Sequence, residues 1–528
     1  TPLLLPRMTP LGDVDEDELS LSGWEEVGTE NTFEAPEAVS SLKRQLLLTR
    51  LVMAFEKGQA TIDQAARLAG ELGVLLDQVQ TERLTLDELN RLVPEDLNLS
   101  KHWEITLSFL KILTDLWPDA LAEQGCVDAA LRRNILLEAQ AELWLSNPPN
   151  HPVIAAGSTG SIPATADLLK VVSQLPQGTV VLPGLDIDAD DVTWQALEPS
   201  HPQFGMARLL EHFEIQREDV SLWQAPRIVE TDPARSWLIN RALLPAEATD
   251  LWKEKNAPDP SVLEGVAVVN CPGPQEEASA IALIMRRQLE EDGRTAALVT
   301  PDRGLARRVA AELSRWEIEV DDSAGIPLAQ TPPGAFLRLT ARMAEDGLSP
   351  VSLLAALKHP LASGGQITVA FRARIRELEL AVLRGPRPGA GVDGISTALG
   401  SKRSEFENIL SPLEKALQPF MDLLEGTHPL RDFLKAHIAM AEQLAATNTE
   451  SGAAKLWVGE AGENAAGFVA ELAEAAPDLD PIPGRSYAAL LDTLMAGRAV
   501  RPRYGQHPRL NIWGLMEARM QHADIVIL

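Results

Sequence analysis

The chain has 528 residues and a formal net charge of −29, from 47 Lys and Arg against 76 Asp and Glu. At roughly 150 residues per domain this length predicts three or four domains, and the acidic excess argues against indiscriminate nucleic-acid binding. Only Cys126 and Cys271 are present, too few for a disulfide framework or a four-thiolate metal site, which indicates a reducing, cytoplasmic compartment. No apolar run approaches the roughly 20 residues that span a bilayer, so we expect no membrane partner.

Charge is spread unevenly along the chain. Residues 1–40 hold ten acids and one Arg, whereas residues 498–519 hold five Arg and one Glu. This asymmetry allows a local anion-binding surface on an acidic body. The chain starts without Met and stops in the apolar run "ADIVIL", so we expect a fragment of a longer polypeptide.

The first structured region is helical. Apolar residues recur at spacings of three and four from about residue 38 to 146, which predicts a helical subdomain. At residue 151 the period changes, and "PVIAAG", "ATADLLKVVSQL" and "GTVVLPGLD" predict strand, helix and strand of a parallel sheet.

The turn "GSTGS" after this first strand resembles a phosphate loop only superficially. A Walker loop needs G-x-x-x-x-G-K-[ST], whereas Gly157 and Gly160 are three apart and the next Lys is Lys170. We expect Ser161 to cap the following helix and Pro163 to occupy its first turn. Two interpretations stay open: a capping turn, or a contact of residues 159–161 (Thr159, Gly160, Ser161) with a nucleic-acid backbone.

A second alternating region follows a Pro-, Trp- and acid-rich passage at about 186–262, in which "HPQFGMARLLEHF" and "ARSWLINRALLP" predict helices. "GVAVVNC", "RTAALVTPD" and "EIEVDD" predict buried strands separated by two helices. Residues 335–380 and 404–475 are helical in period, with a loose stretch at 384–396 between them, and "RLNIWG" and "ADIVIL" predict two further strands.

Polar residues follow the strand of "LVTPDR", at the end where open α/β sheets bind ligands. Thr300 and Arg303 are candidate site residues there, and Asp302 is expected to cap the next helix. For Arg303, Arg307 and Arg308 two interpretations stay open: they line a binding surface, or they lie on a solvated helix face. Asp321 and Asp322 could suggest a metal site, but metal-dependent nucleases also require a Lys two residues after the second acid, and it is missing here. We therefore expect these two acids to have turn and capping roles.

Basic residues alternate with rings in "RPRYGQHPRLNIWG", a pattern typical of single-strand binding. The candidate contacts in this stretch are Arg501, Arg503, Tyr504, His507, Arg509 and Trp513. A second basic stretch, "FRARIRELELAVLRGPRPG", is either a weaker candidate or a solvated helix face. The sequence has no G-x-S-x-G, H-E-x-x-H or Cys/His cluster, so we expect neither catalytic residues nor a metal site in this chain.

Four segments, in order, resemble the AddB family in its alphaproteobacterial form. They are "LLLPRMTPLGDVDEDEL", "HPVIAAGSTGSIPATADLLKVVSQLPQGTVVLPGLD", the stretch from "TAALVTPDRGLARRVAAELSRW" to "PLAQTPPGAFL", and "HPRLNIWGLMEARMQHADIVIL". AddB proteins are the B subunits of AddAB-type ATP-dependent helicase-nucleases for double-strand break repair and recombination. The resemblance covers essentially the whole chain.

The resemblance implies an α/β fold of two RecA-like (superfamily 1 helicase-like) parallel-sheet domains with helical insertion subdomains. The expected first domain comprises 1–37 and 149–262, including a linker, with a helical insertion at 38–148. The expected second domain comprises 263–345 and a truncated return at 495–528, with a helical insertion at 346–494.

The resemblance also implies a heterodimer with an AddA-type helicase-nuclease subunit, acting on single-stranded and duplex-end DNA and reading Chi. ATP and Mg would serve the full complex and none would be held by this fragment, which would lack the start of the first domain and the C-terminal nuclease domain. Related helicases carry T-x-H-x-x-K-G where this chain has residues 513–519, without that His or Lys. The departure predicts a decayed motor with candidate strand contacts at 300–303 and at 514–519, including Gly514, Glu517 and Arg519.

Two other functions stay open at this point. The chain could be an ATP-driven DNA translocase or helicase whose phosphate loop precedes Thr1. It could instead be a two-domain sugar-nucleotide enzyme, because doubly wound domains host many chemistries.

Overall fold

The computed structural model describes residues 7–11, 35–56, 60–85, 109–223, 233–253, 260–501 and 507–528. The chain forms two compact units. Unit 1 comprises 1–38, 77–92 and 124–272, and unit 2 comprises 39–76, 93–123 and 273–528. Both contain helices and short parallel sheets, which confirms an α/β fold. The expected insertion 38–148 contributes residues to both units.

Helices account for most of the described structure. In chain order they are α1 (Ser41–Phe55), α2 (Ile62–Thr81), α3 (Trp117–Gln124), α4 (Ala129–Ser146), α5 (Pro163–Gln174), α6 (Asp191–Gln195), α7 (Phe204–Phe213), α8 (Pro233–Ala242), α9 (Pro274–Gln288), α10 (Arg303–Ser314), α11 (Pro332–Glu345), α12 (Pro350–Leu357), α13 (Thr368–Leu378), α14 (Gly391–Leu399), α15 (Glu407–Met421), α16 (Leu430–Ala445), α17 (Gly452–Leu456), α18 (Gly459–Ala475) and α19 (Tyr487–Met495). Within the described ranges, no helix combines the length and apolarity needed to cross a bilayer.

The strands are short. In chain order they are β1 (Glu37–Ala38), β2 (Cys126–Val127), β3 (Val153–Ala156), β4 (Gly178–Val181), β5 (Ala296–Val299), β6 (Asp321–Asp322), β7 (Ile326–Pro327), β8 (Thr427–His428), β9 (Ile482–Pro483), β10 (Ala499–Val500), β11 (Leu510–Trp513) and β12 (Ile525–Ile527). The largest sheet is in unit 2 and has the order β12-β5-β11-β6, with every pairing parallel.

Unit 1 contains the strand–helix–strand predicted at residue 151. β3 and β4 pair in parallel, with Val153 opposite Gly178, and α5 connects them. Buried Leu168 on α5 packs with Leu137 on α4, which explains why the helix lies against its neighbour. Pro163 opens α5 as predicted, but the capping residue is Ile162, without a side-chain hydrogen bond. The prediction that Ser161 caps this helix is therefore wrong.

The four-stranded sheet of unit 2 is covered by α9 and α10, whose apolar sides form one core with it. Ala282 and Met285 of α9 and Val309 of α10 are fully buried there, together with Leu298 of β5 and Ile512 of β11. Strands buried in this way produce the continuous apolar runs seen in the sequence. A second and larger core joins the helices from α11 to α19 with α1.

Three local predictions differ from the structure. "GVAVVNC" forms no strand, its Val268 is 86% exposed, and no strand within the described ranges pairs with it. Only Asp321–Asp322 of "EIEVDD" enters the sheet, after Glu317 adopts a positive φ of 58°. The loose stretch at 384–396 contains the start of α14.

Candidate nucleic-acid interface

The turn after β3 is held by hydrogen bonds to β4 and within the turn itself. The Gly157 N–H donates to the Val181 carbonyl (3.2 Å), which ties the turn to β4. The Gly160 N–H donates to Ser158 Oγ (3.1 Å), and Gly160 has a φ of 60°. Thr159 is half-buried, whereas Ser161 is exposed just before the N-terminus of α5.

In unit 2, the carboxyl ends of three parallel strands are joined by hydrogen bonds. The Thr300 N–H after β5 donates to the Trp513 carbonyl at the end of β11 (3.0 Å). The Gly514 N–H donates to the hydroxyl of Ser323, which follows β6 (3.4 Å). The candidate residues after β5 and β11 therefore lie together where the parallel strands end. We call residues 300–307, 322–323 and 513–519, at the carboxyl ends of these strands, the sheet edge.

Arg303 and Asp322 form an ion pair across this edge. The Asp322 carboxylate also accepts from the Ala324 N–H (3.1 Å), so it has the turn role that the sequence favoured. The Nη1 atom of Arg303 is buried and has no hydrogen-bond partner. A buried guanidinium N–H without a partner costs free energy.

Asp302 caps α10, as predicted. Its Oδ1 accepts from the N–H groups of Gly304 (2.7 Å) and Leu305 (3.2 Å). These bonds hold the pKa of Asp302 below its usual value, and the nearby guanidinium groups of Arg308 and Arg307 contribute to the same shift. Arg307 itself donates to Gln330 Oε1 (2.7 Å), a neutral partner, and forms no ion pair with a described acid.

The turn after β11 presents an apolar surface that also carries one acid and one arginine. Leu515, Met516 and Met520 are each more than 60% exposed, and Glu517 and Arg519 are exposed with them. The turn is closed by the Ala518 N–H, which donates to the Gly514 carbonyl (3.0 Å). In an unpaired strand, the faces of the bases can pack on exposed apolar side chains, and the phosphates can contact an arginine beside them.

The remaining basic candidates are dispersed. Arg501 is exposed just after β10. The Arg509 guanidinium donates to the carbonyls of Glu291 (2.8 Å) and Leu289 (3.4 Å), which ties β11 to the chain that follows α9. Arg503 and Tyr504 lie outside the described residues.

Sequence reasoning missed Ser323, which belongs to the sheet edge, and Gln330, which accepts a hydrogen bond from Arg307. Both are uncharged residues in short connections, and only the pairing of β6 with β11 brings Ser323 to Gly514. Among the described residues, no three His, Cys, Asp or Glu side chains are grouped so that they could hold a metal ion.

No known family model matches the sequence. A search of curated proteins likewise finds no significant relative.

Proposed function

We propose that the chain is a helicase-like, motor-inactive part of a double-strand break repair helicase-nuclease subunit of the AddB kind. In this proposal its two units correspond to RecA-like domains, and it binds and scans single-stranded DNA for Chi as the partner of an AddA-type subunit. ATP and Mg serve the partner and the full complex.

The observation that carries the proposal is the sheet edge. Open parallel sheets bind ligands outside the carboxyl ends of their strands, and this edge groups Arg303, Arg307 and Arg519 with the exposed apolar turn after β11. A strand could contact the cations with its phosphates and the apolar turn with its bases.

The absence of motor side chains supports a binding role over a catalytic one. The turn after β3 connects a strand to a helix, as a phosphate loop does, but it lacks the Lys and the following hydroxyl that hold phosphates and Mg. Residues 513–519 contain no Lys and no His. We therefore expect the purified chain to bind oligonucleotides without hydrolysing ATP, and ATP turnover by the chain alone would favour the translocase alternative.

The interface is tested by removing one exposed charge at a time. Arg519→Gln and Arg307→Gln change the sheet edge, whereas Arg287→Gln, in the last turn of α9, removes another exposed charge elsewhere in unit 2. In oligothymidylate titrations over a range of salt, each edge variant should lower the slope of log K against log salt by about 0.7. Arg287→Gln should leave the slope unchanged, and edge variants that match it would contradict the proposed interface.

A further inference from the structure

A second group of basic side chains lies on the helical part of unit 2, away from the sheet edge in sequence. His359, Arg372 and Lys455 come from three different segments and all bond to the connection between α12 and α13. Arg372 Nη2 donates to the Pro360 carbonyl (3.1 Å), and Lys455 Nζ donates to the next carbonyl, that of Leu361 (3.1 Å). The two cationic groups therefore bond to consecutive peptide oxygens.

The rest of the connection is fixed. Lys455 Nζ also donates to Ser363 Oγ (2.7 Å), and that hydroxyl lies 2.8 Å from Thr368 Oγ1. His359 Nδ1 accepts from the Leu361 N–H (3.3 Å), and its ring stacks on the buried Phe336 at 5.1 Å. The basic groups are thus held in place by neutral partners.

Neither Arg372 nor Lys455 forms an ion pair with a described acidic side chain. Other partly buried cations of unit 2 do: Lys358 pairs with Glu379, Arg338 with Asp492 and Arg498 with Glu471. In a chain with a net charge of −29, Arg372 and Lys455 are two neighbouring cations that bond to peptide carbonyls and not to a described carboxylate.

The electrostatics agree with this geometry. Burial lowers the pKa of His359, and the Arg372 guanidinium lowers it further. Burial also lowers the pKa of Lys455; the Glu450 carboxylate opposes that shift and Arg372 adds to it. The cationic groups of Arg372 and Lys455 therefore repel one another, and a bound anion would relieve the repulsion.

Two further donors lie on α13. Arg372 Nε is buried and has no hydrogen-bond partner among the described residues, a state that costs free energy while it stays unsatisfied. Arg376 follows one turn later on α13, exposed and without an ion pair to a described residue. Residues four apart lie on the same face of a helix.

From these contacts we infer that Arg372 and Lys455, with His359 beside them, form a binding site for a phosphate group, and that Arg376 extends it along α13. The phosphate belongs either to a nucleic-acid strand or to a small phosphorylated molecule. The site is separate from the proposed interface at the sheet edge and does not depend on it.

The test compares two double variants of the full chain. Arg372→Gln with Lys455→Gln removes the site, and Lys402→Gln with Arg431→Gln removes two exposed charges from the same helical part. Each protein is titrated with inorganic pyrophosphate and with an oligothymidylate. The site variant should lose about tenfold in affinity for at least one probe, relative to both the unmodified chain and the control variant.

The two probes distinguish the source of the phosphate. A loss with the oligothymidylate, with a salt slope lower by about 1.4, assigns the site to a strand. A loss confined to pyrophosphate assigns it to a small ligand. In the unmodified chain, either probe should also protect Lys455 from reductive methylation relative to Lys402, which does not depend on how the variants fold. No difference between the variants together with no protection of Lys455 would overturn the inference.

Discussion

At the scale of single residues, His437 is the most constrained titratable group of the helical core. It is fully buried, with its Nε2 3.0 Å from Thr340 Oγ1 and its Nδ1 2.9 Å from the Tyr487 hydroxyl. The Thr340 hydroxyl donates to carbonyls of its own helix, so the network assigns a neutral ring that donates through Nε2 and accepts at Nδ1. Burial lowers the pKa of His437 to about 4.

This buried ring predicts a pH-dependent stability. The unfolded chain takes up a proton at His437 near pH 6.5, whereas the folded chain does so only near its pKa of about 4. The free energy of unfolding therefore falls as the pH drops through that window, by about 2 kcal/mol between pH 7 and pH 5. In His437→Gln this contribution should be missing, so the free energy of unfolding should fall less between pH 7 and pH 5 than in the unmodified chain. Denaturant unfolding at both pH values measures the difference. An equal fall in the two proteins would contradict the prediction.

At the scale of elements, the turn after β3 depends on glycine at one position. Gly160 has a φ of 60°, and a Cβ added there would lie 2.5 Å from Leu209 Cδ1, in the buried side of α7. The positive φ would strain the backbone of any L residue at this position, and the short distance to Leu209 would add a steric clash. The spacing of the glycines in "GSTGS" thus reflects a packed turn between α5 and α7.

Two alanine substitutions separate these effects. Gly184 has a similar φ of 64°, but a Cβ added there meets nothing within 4 Å. Gly184→Ala should cost about 1–2 kcal/mol from backbone strain alone, whereas Gly160→Ala should cost more because Leu209 must also move. Thermal unfolding of the two variants measures the difference, and equal midpoints would show that α7 does not restrict the turn.

The helices and the strands inside β–α–β units were predictable from the sequence. Each of these elements packs on a neighbouring element, and that packing sets the spacing of its apolar residues. The strand–helix–strand at 151–181 and the strands at 296–299 and 510–513 are confirmed for this reason. The segment "GVAVVNC" has the same apolar run but pairs with no strand, and sequence alone does not distinguish a paired run from an exposed one. The cap at Ile162 was missed because Ser161 is the better capping residue by type.

The candidate site was predictable only in part. Thr300, Arg303 and Gly514 could be placed at strand ends from the sequence, and the parallel pairing of β5 with β11 brings those ends together. The contribution of Ser323 depends on β6, of which only two residues pair. The DNA contacts themselves, the Chi sequence and the AddA-type partner remain predictions.

At the scale of the whole molecule, the net charge of −29 restricts where a nucleic acid can bind. Some described cations are paired with acids, as Arg303 is with Asp322, so cations that form no ion pair with a described acid, such as Arg307 and Arg519, are better placed to attract a phosphate. We therefore expect weak binding that falls steeply with salt, strengthened when a partner subunit contributes further cations.

The central claim is that the chain holds a single strand at the sheet edge without acting as a motor. Ultraviolet crosslinking of the purified chain to an oligothymidylate at low salt, alone and with an AddA-type subunit, followed by peptide mapping, tests this claim directly. We predict adducts at Trp513 and within residues 514–519. Crosslinks that avoid the sheet edge in both samples, or no crosslinks in either, would contradict the account.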